Sequence, residues 1–360
     1  MRTFWRGGTV RITVATVVLS FGLGAAPASA QFNRPVEAML SAAVEGYIRP
    51  GYAALADASN ALQTATVRYC ANPSDTTRAA VDESFGRTVQ ALGAVAFLDF
   101  GPASINQRLE RLKTPAPAAP EDGAAPPELV PGEEGNGPQD VGALSQEPPE
   151  LQGLPAFERL LVADPAETGS DQFNETCRVA GLIAANVKSI ATALDSEWTK
   201  DGGYGDWLTS PAADNPAYAR SEDALLEVLS AFSRGVDKVH ARLGRIGLSD
   251  EDTDADRQIG PFGQVDFVFL LDQAQVRGLG QFYQATDLAG ATEPPLNERA
   301  AWIEAKMTEA AEGLAAIPAD TVDQPDDETI EQIAAARSAL AEVSEAMRGL
   351  TADLELGPAN

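Results

Sequence analysis

The chain has 360 residues, and its 53 acidic and 26 basic residues give a net charge of −27 at pH 7. A surface with this excess of negative charge repels the phosphate backbone, so we do not expect nucleic acid as a partner. Acidity of this kind keeps a protein soluble and attracts cations, but it does not by itself create a specific cation site.

The first 30 residues have the layout of a cleaved secretory signal. Arginines precede the apolar stretch ITVATVVLSFGLGAA, and the segment ends at Ala28-Ser29-Ala30. Cleavage near Ala30-Gln31 removes three of the 26 basic residues and no acid, so the net charge becomes −30. The apolar stretch is shorter than the ~20 residues that span a bilayer, and no cysteine follows it to carry a lipid. We therefore predict a soluble periplasmic protein.

Helical periodicity dominates the rest of the chain. Apolar residues recur at helical spacing from Ile183 to Leu194 and again from Leu225 to Leu243, which predicts two helices with one buried face each. Strand-like alternation is nearly absent. We therefore predict an all-α fold of two packed helical bundles, pseudo-duplicated. Further helices are predicted at residues 35–69, 76–95, 264–283, 294–315 and 326–353.

Composition divides the chain into segments. Residues 113–150 hold nine of the 24 prolines and one basic residue, so we predict a disordered acidic insertion there. The turn-rich stretch 200–220 predicts a hinge between a first bundle at residues 31–200 and a second at 201–360. Two aromatic residues of that stretch, Tyr204 and Trp207, are predicted to pack at the hinge.

The chain has two cysteines, Cys70 and Cys177, and is directed to an oxidising compartment, so we predict a disulfide between them. The alternative, a thiol nucleophile, needs a nearby base, and the one histidine, His240, is far away in sequence. His240 is predicted to lie at the solvent boundary. The acidic run at residues 250–256 lacks the spacing of an EF-hand loop and is predicted to be solvated.

Several phrases, in order along the chain, resemble one family. The phrases are IRPGY at 48–52, YCANPS at 69–74, FGPASINQRLERL at 100–112, GLPAFERLL at 153–161 and CRVAGLIAANVKSIATAL at 177–194. They cover most of residues 35–285, and through them the chain resembles the imelysin-like proteins. These are periplasmic or outer-membrane-associated proteins whose fold is a pair of four-helix bundles, and they include metal-dependent peptidases and factors in iron uptake.

The hallmark of that family is Gly-x-His-x-x-Glu. Here Gly153 and Glu158 match, but Pro155 stands where the histidine belongs. Positions i and i+3 share a helix face, so a histidine and a glutamate at this spacing point at one metal ion, whereas proline contributes no ligand. We predict that Pro155 begins a helix, where its missing amide hydrogen is not needed.

Two roles remain open for Glu158. It is either a residual metal ligand, with Glu45 as a second carboxylate and iron, copper or zinc as the ion, or an ion-pair partner of Arg108 or Arg111. Together with Gly153, these residues are the candidate ligand-binding set. A metal ion, a metal chelate or a small anionic ligand is the expected partner, and a cell-envelope protein is the further alternative.

The missing histidine argues against catalysis. A zinc peptidase relies on histidine ligands, and the sequence contains neither His-Glu-x-x-His nor a Gly-x-Ser-x-Gly elbow. We therefore expect a non-catalytic binding or accessory protein linked to iron or other metal uptake. A metal-dependent peptidase and a structural protein of the cell envelope remain as alternatives.

Overall fold

The computed structural model describes residues 32–115, 138–163, 167–246 and 260–354. Within these ranges the chain is helical, and the one extended pairing is an isolated bridge between Phe32 and Thr292. The first long helix, α1, spans residues 36–71 and contains a π-helical turn at Val44–Ile48. The other long helices are α2 (Asp75–Val95), α3 (Asp171–Thr199), α4 (Ser221–Leu243), α5 (Val265–Thr286), α6 (Leu296–Ala315) and α7 (Asp327–Asp353).

Side-chain caps explain where several of these helices begin. The hydroxyl oxygen of Ser74 accepts a hydrogen bond from the Thr77 amide at the start of α2. Ser170 does the same for the Phe173 amide in α3 at 2.9 Å, and Asp326 for the Thr329 amide in α7 at 2.8 Å. These starts confirm the helices that periodicity predicted.

The helices pack as two bundles, which confirms the predicted fold class. In the first bundle α1 lies against α2 and α3, and in the second α4 to α7 pack together. Helix α5 belongs to both, because it also lies along α2. The two helices approach so closely that a Cβ atom on Gly93 would lie 2.6 Å from the Leu271 carbonyl oxygen. Contacts between α5 and α2 thus join residues on the two sides of the predicted boundary at residue 200. The boundary itself stays a prediction.

A disulfide joins Cys70, near the end of α1, to Cys177, near the start of α3, as predicted. Helix α3 is the one described helix that is long and apolar enough to cross a membrane on length and composition alone. Most of its apolar residues, from Phe173 to Trp198, are buried in the first bundle. The apolar character of α3 is therefore explained by its place in the core.

The predicted acidic insertion is ordered at its C-terminal end. Val141–Leu144 forms a helical turn capped by Asp140, whose carboxylate accepts from the Ala143 amide at 2.8 Å. Leu144 is buried, and Arg178 of α3 donates to the Pro138 carbonyl oxygen at 2.6 Å. The burial of Leu144 and the hydrogen bond from Arg178 order this end of the insertion, and composition alone did not reveal either contact. Residues 116–137 lie outside the described ranges, as do the signal segment and the acidic run at 250–256.

The turn-rich stretch after α3 is packed by aromatic rings. Tyr204 lies edge-on to Trp198, with ring centroids 5.1 Å apart, and also contacts Trp207. Its hydroxyl group is 2.6 Å from that of Tyr218. Tyr204 and Trp207 therefore pack at this position, as predicted.

Candidate functional site

The motif segment is a short helix that continues into a π-helical turn. Leu154–Phe157 forms the helix, with Pro155 buried in its first turn, and Glu158–Ala163 follows. This confirms Pro155 as a residue that begins a helix. Phe157 stacks on Phe85 of α2 with ring centroids 5.7 Å apart, which holds the segment against the first bundle.

Gly153 is required by a close approach of two backbones. A Cβ atom at this position would lie 2.4 Å from the Arg111 carbonyl oxygen and 2.6 Å from that of Leu112. Both carbonyls belong to the short helix Arg108–Lys113. The motif glycine therefore lets residues 152–154 lie directly on that helix.

Glu158 binds main-chain amides. Its side chain is buried, with the residue 1% exposed, and its two carboxylate oxygens accept hydrogen bonds from the amides of Gly263 at 2.9 Å and Gln264 at 2.8 Å. These amides immediately precede α5, where the helix dipole favours a negative charge. Burial raises the pKa of Glu158, the two amide hydrogen bonds act in the opposite direction, and the Asp266 carboxylate adds to the rise. Glu158 thus ties the motif segment to the start of α5.

The two candidate arginines have other partners. Arg111 donates to the Gln152 side-chain oxygen at 2.6 Å and to the Asn186 side-chain oxygen at 3.3 Å. Arg108 donates to the Pro102 carbonyl oxygen at 3.3 Å. The predicted ion pair between Glu158 and one of these arginines is therefore not formed. Glu158 accepts instead from two main-chain amides at the start of α5, which the sequence did not reveal as donors.

The structure does not bring Glu45 and Glu158 together. Glu45 is exposed on α1 and pairs with Arg49. Its neighbour Gly46 faces Ala285 near the end of α5, whereas Glu158 contacts the residues before the start of the same helix. About 20 residues of helix at 1.5 Å each place the two ends about 30 Å apart. One metal ion cannot contact both carboxylates.

The donor set does not fit a metal ion of the kind that the family motif implies. Pro155 offers no ligand, and both oxygens of Glu158 accept from amide groups. In the part of the chain that the structure describes, no group of three or more His, Cys, Asp or Glu side chains is placed to hold a metal ion. A metal peptidase normally needs three protein ligands, so we derive no catalytic step from this motif.

The elements that the motif ties together line a cavity of about 200 Å³. Lys113 comes from the helix on which Gly153 lies, and Pro261 precedes the loop held by Glu158. Lys238 and Arg242 come from α4, and Gln275 from α5. The cavity therefore lies between helices of both bundles, beside the two elements that the motif segment contacts.

The cavity is basic although the chain is strongly acidic. Three cations and one carboxylate line it, whereas the chain has 26 basic and 53 acidic residues. The pairs are Lys113 with Glu110 at 3.4 Å, Lys238 with Asp99 at 3.0 Å and Arg242 with Asp272 at 2.5 Å. Each cation therefore has a carboxylate partner, and what the cavity offers a small anion is the N–H donors that these pairs leave over.

Comparison with known proteins identifies the chain. The family model described as Imelysin (Peptidase_M75) matches residues 48–353. The chain belongs to the imelysin family.

Two solved structures share the imelysin fold with this chain. One is the protein described as an iron-regulated protein A precursor from Parabacteroides distasonis ATCC 8503, with a TM-score of 0.65, 13% identity and coverage of 89% of this chain and 95% of that one. The other is an imelysin-like protein from Psychrobacter arcticum 273-4, with a TM-score of 0.60, 16% identity and coverage of 89% and 94%. At these identities the likeness shows the fold alone. No curated protein matches the chain.

Sequence reasoning missed the basic residues of α4 in this imelysin. Lys238 and Arg242 are four residues apart and share a helix face, a spacing visible in the sequence. Nothing in the sequence, however, indicates that this face meets the helix that carries Lys113. The three cations come together only through tertiary packing.

Replacing Glu158 with glutamine tests whether this residue binds amides. We expect a loss of about 1–3 kcal/mol in the free energy of unfolding, because a glutamine side chain has one acceptor oxygen and leaves one buried amide unpaired. Urea unfolding measures it. The matched control is Glu83→Gln, which removes an exposed carboxylate paired with Arg87 and should change stability by less than about 0.5 kcal/mol. Equal stability of the two variants would contradict this role for Glu158.

Proposed function

We propose that this imelysin-family protein is a non-catalytic binding or accessory protein of the periplasm that captures a small, negatively charged ligand, including a metal chelate. One observation carries the proposal, namely the basic cavity lined by Lys113, Lys238 and Arg242. A cavity of about 200 Å³ is smaller than the about 300–1,000 Å³ of sites for drug-sized molecules, which favours a small ligand.

The motif supports a binding role over a peptidase role. Glu158 and Gly153 are engaged in holding the chain together, and the histidine that would complete a metal site is Pro155. A hydrolytic metal site needs an open coordination position on a metal held by several ligands. The described residues supply no such ligand group.

The link to metal uptake rests on the family and on one neighbour. The Parabacteroides distasonis protein is described as iron-regulated. A cavity lined by three cations suits a negatively charged metal chelate better than a bare metal cation. Periplasmic location rests on the predicted signal segment at residues 1–30.

Calorimetric titration of the mature chain, residues 31–360, tests the proposal. Ferric citrate, citrate, ferrous iron and zinc are the probes, and the variant is Lys113→Gln/Lys238→Gln. We expect citrate or its ferric chelate to bind with one-site saturation in the native protein and at least about tenfold more weakly in the variant. The matched control is Lys200→Gln, which removes a surface cation paired with Glu197. Saturable binding of zinc or ferrous iron that is lost in Glu158→Gln, without citrate binding, would contradict the proposal.

The pH dependence of citrate binding gives a further prediction. Burial lowers the pKa of Lys113; Glu110 opposes this effect, and Lys238 and Arg242 add to it. Because the lowered pKa makes Lys113 lose its charge at a lower pH than free lysine, citrate affinity should fall as the pH rises above neutral. Titrations between pH 7 and 10 measure the fall, and Lys113→Gln should flatten it. An affinity that rises with pH would contradict the assignment of Lys113.

The two alternative functions have separate tests. A metallopeptidase would hydrolyse a peptide library in a manner that chelators inhibit and Glu158→Gln abolishes. A structural protein of the cell envelope would lose partner capture when residues 114–149 are deleted and keep it in Lys113→Gln/Lys238→Gln.

A further inference from the structure

The wall of the basic cavity contains a buried ion pair. The Nε atom of Arg242 donates to the Oδ1 atom of Asp272 at 2.6 Å, and Nη2 lies 2.5 Å from the same oxygen in an ion pair. Nη2 also donates to the Oε1 atom of Gln275 at 2.6 Å, and the Nε2 atom of Gln275 donates to the Gly235 carbonyl oxygen at 3.4 Å. Asp272 is fully buried, whereas 19% of the Arg242 side chain remains exposed. The exposed partner lines the cavity, and the buried one holds it from behind.

Stability does not account for this pair. The Oδ2 atom of Asp272 has no hydrogen-bond partner among the described residues. Burial raises the pKa of Asp272, against the lowering effect of Arg242. Buried ion pairs are often no more stable than apolar side chains of similar volume, and an unpaired oxygen adds to the cost. The pair is therefore better explained by what it does to Arg242.

The ion pair fixes the orientation of the Arg242 guanidinium group. One edge of Arg242, formed by Nε and Nη2, is held by Asp272 and Gln275. Arginine offers five N–H donors in a rigid plane, and the two on Nη1, which contacts neither Asp272 nor Gln275, remain to donate to an oxygen of a carboxylate or phosphate. Lys113 and Lys238 line the same cavity and add positive charge without that directionality.

We propose that Arg242 is the anchoring residue for a small oxyanion, a carboxylate or phosphate group, and that Asp272 is the positioning residue that aims it. This inference rests on the proposed function and specifies the ligand chemistry of the same cavity. Asp272 acts through Arg242, because it is buried behind the cavity wall.

Calorimetry with two probes tests both residues and separates the two sources of an oxyanion. Citrate and inorganic phosphate are titrated into the native mature chain, Arg242→Lys and Asp272→Asn. The first variant keeps the charge and removes the oriented Nη1 donors of the guanidinium group, and the second keeps the shape and removes the charge that holds the guanidinium. We expect each variant to bind at least about tenfold more weakly, which equals the loss of one charge-assisted hydrogen bond.

A double variant separates binding from folding. Arg242→Met/Asp272→Leu replaces the pair with apolar side chains, so its melting temperature should equal or exceed that of the native protein, while binding of the probe is lost. If the pair were merely structural, the melting temperature would fall and the folded variant would bind the probe normally. That result would overturn the inference.

The lysine variants distinguish this inference from the proposed function. If Lys113→Gln and Lys238→Gln weaken binding while Arg242→Lys and Asp272→Asn bind like the native protein, the cavity binds anions through its lysines and the inference is wrong. If the native chain binds neither citrate, phosphate nor ferric citrate, the inference and the proposed function both fail.

Discussion

Replacing Gly153 with alanine is expected to lower the free energy of unfolding by about 3 kcal/mol. The added Cβ atom would lie 2.4 Å from the Arg111 carbonyl oxygen and 2.6 Å from that of Leu112. These neighbours are backbone atoms of the helix Arg108–Lys113, so they cannot move aside as a flexible side chain would. The motif segment must separate from this helix, and the helix carries Lys113 into the cavity. Citrate affinity should therefore fall together with stability.

The matched control for this substitution is Gly181→Ala. Gly181 lies within α3, and a Cβ atom there would have no neighbour within 4 Å. Alanine is preferred over glycine inside a helix, so the control should leave stability unchanged or raise it by up to about 1 kcal/mol. Urea unfolding compares the two variants. If Gly153→Ala were as stable as Gly181→Ala, the close approach would be ruled out.

Removing the disulfide is expected to have the largest effect on stability. Cys70 and Cys177 are separated by 107 residues, and cross-links that close loops of about this length stabilise a protein by about 4–5 kcal/mol in the chain-entropy model. The double variant Cys70→Ser/Cys177→Ser should lose that amount in urea unfolding. The bond joins α1 to α3, so the first bundle should lose cooperativity with the rest of the protein.

A reducing agent provides the control for the disulfide. Reduction should lower the stability of the native protein to that of Cys70→Ser/Cys177→Ser and leave the variant unchanged. A native protein that is unaffected by reduction under conditions where its thiols become accessible would show that the cross-link does not support the fold. A loss below about 1 kcal/mol in the variant would lead to the same conclusion.

The helices were predictable because their signals are local. The prediction of 326–353 matches Asp327–Asp353, where the Asp326 side chain accepts from the Thr329 amide. The prediction of 264–283 matches Val265–Thr286 within three residues. Periodicity and capping act within a few turns of chain, so a single sequence carries them.

The partners of the motif were not predictable because they are distant in sequence. Glu158 contacts Gly263 and Gln264, which lie more than 100 residues away. The sequence leaves Glu158 as either a metal ligand or an ion-pair partner of an arginine, whereas the start of α5 offers two main-chain amides, which any residue type supplies. Every residue except proline has a main-chain amide donor, so the residue types at 263 and 264 do not indicate that they bind Glu158.

The role of the motif follows from the same contacts. Gly153 permits a close approach to the helix that carries Lys113, and Glu158 holds the segment that follows Pro261. Lys113 and Pro261 both line the basic cavity. The residues that remain of the family motif thus support the walls of a site whose polar groups come from elsewhere. Under the proposed function, the cations of the cavity set the ligand chemistry, and the missing histidine is not needed for it.

A crystal structure of the mature chain grown with citrate tests the central claim most directly. Binding in the basic cavity predicts citrate oxygens within about 3 Å of the Arg242 guanidinium and the Lys113 ammonium group, with Glu158 still bound to the amides of Gly263 and Gln264. Citrate bound away from this cavity, or a metal ion coordinated by Glu158, would contradict it.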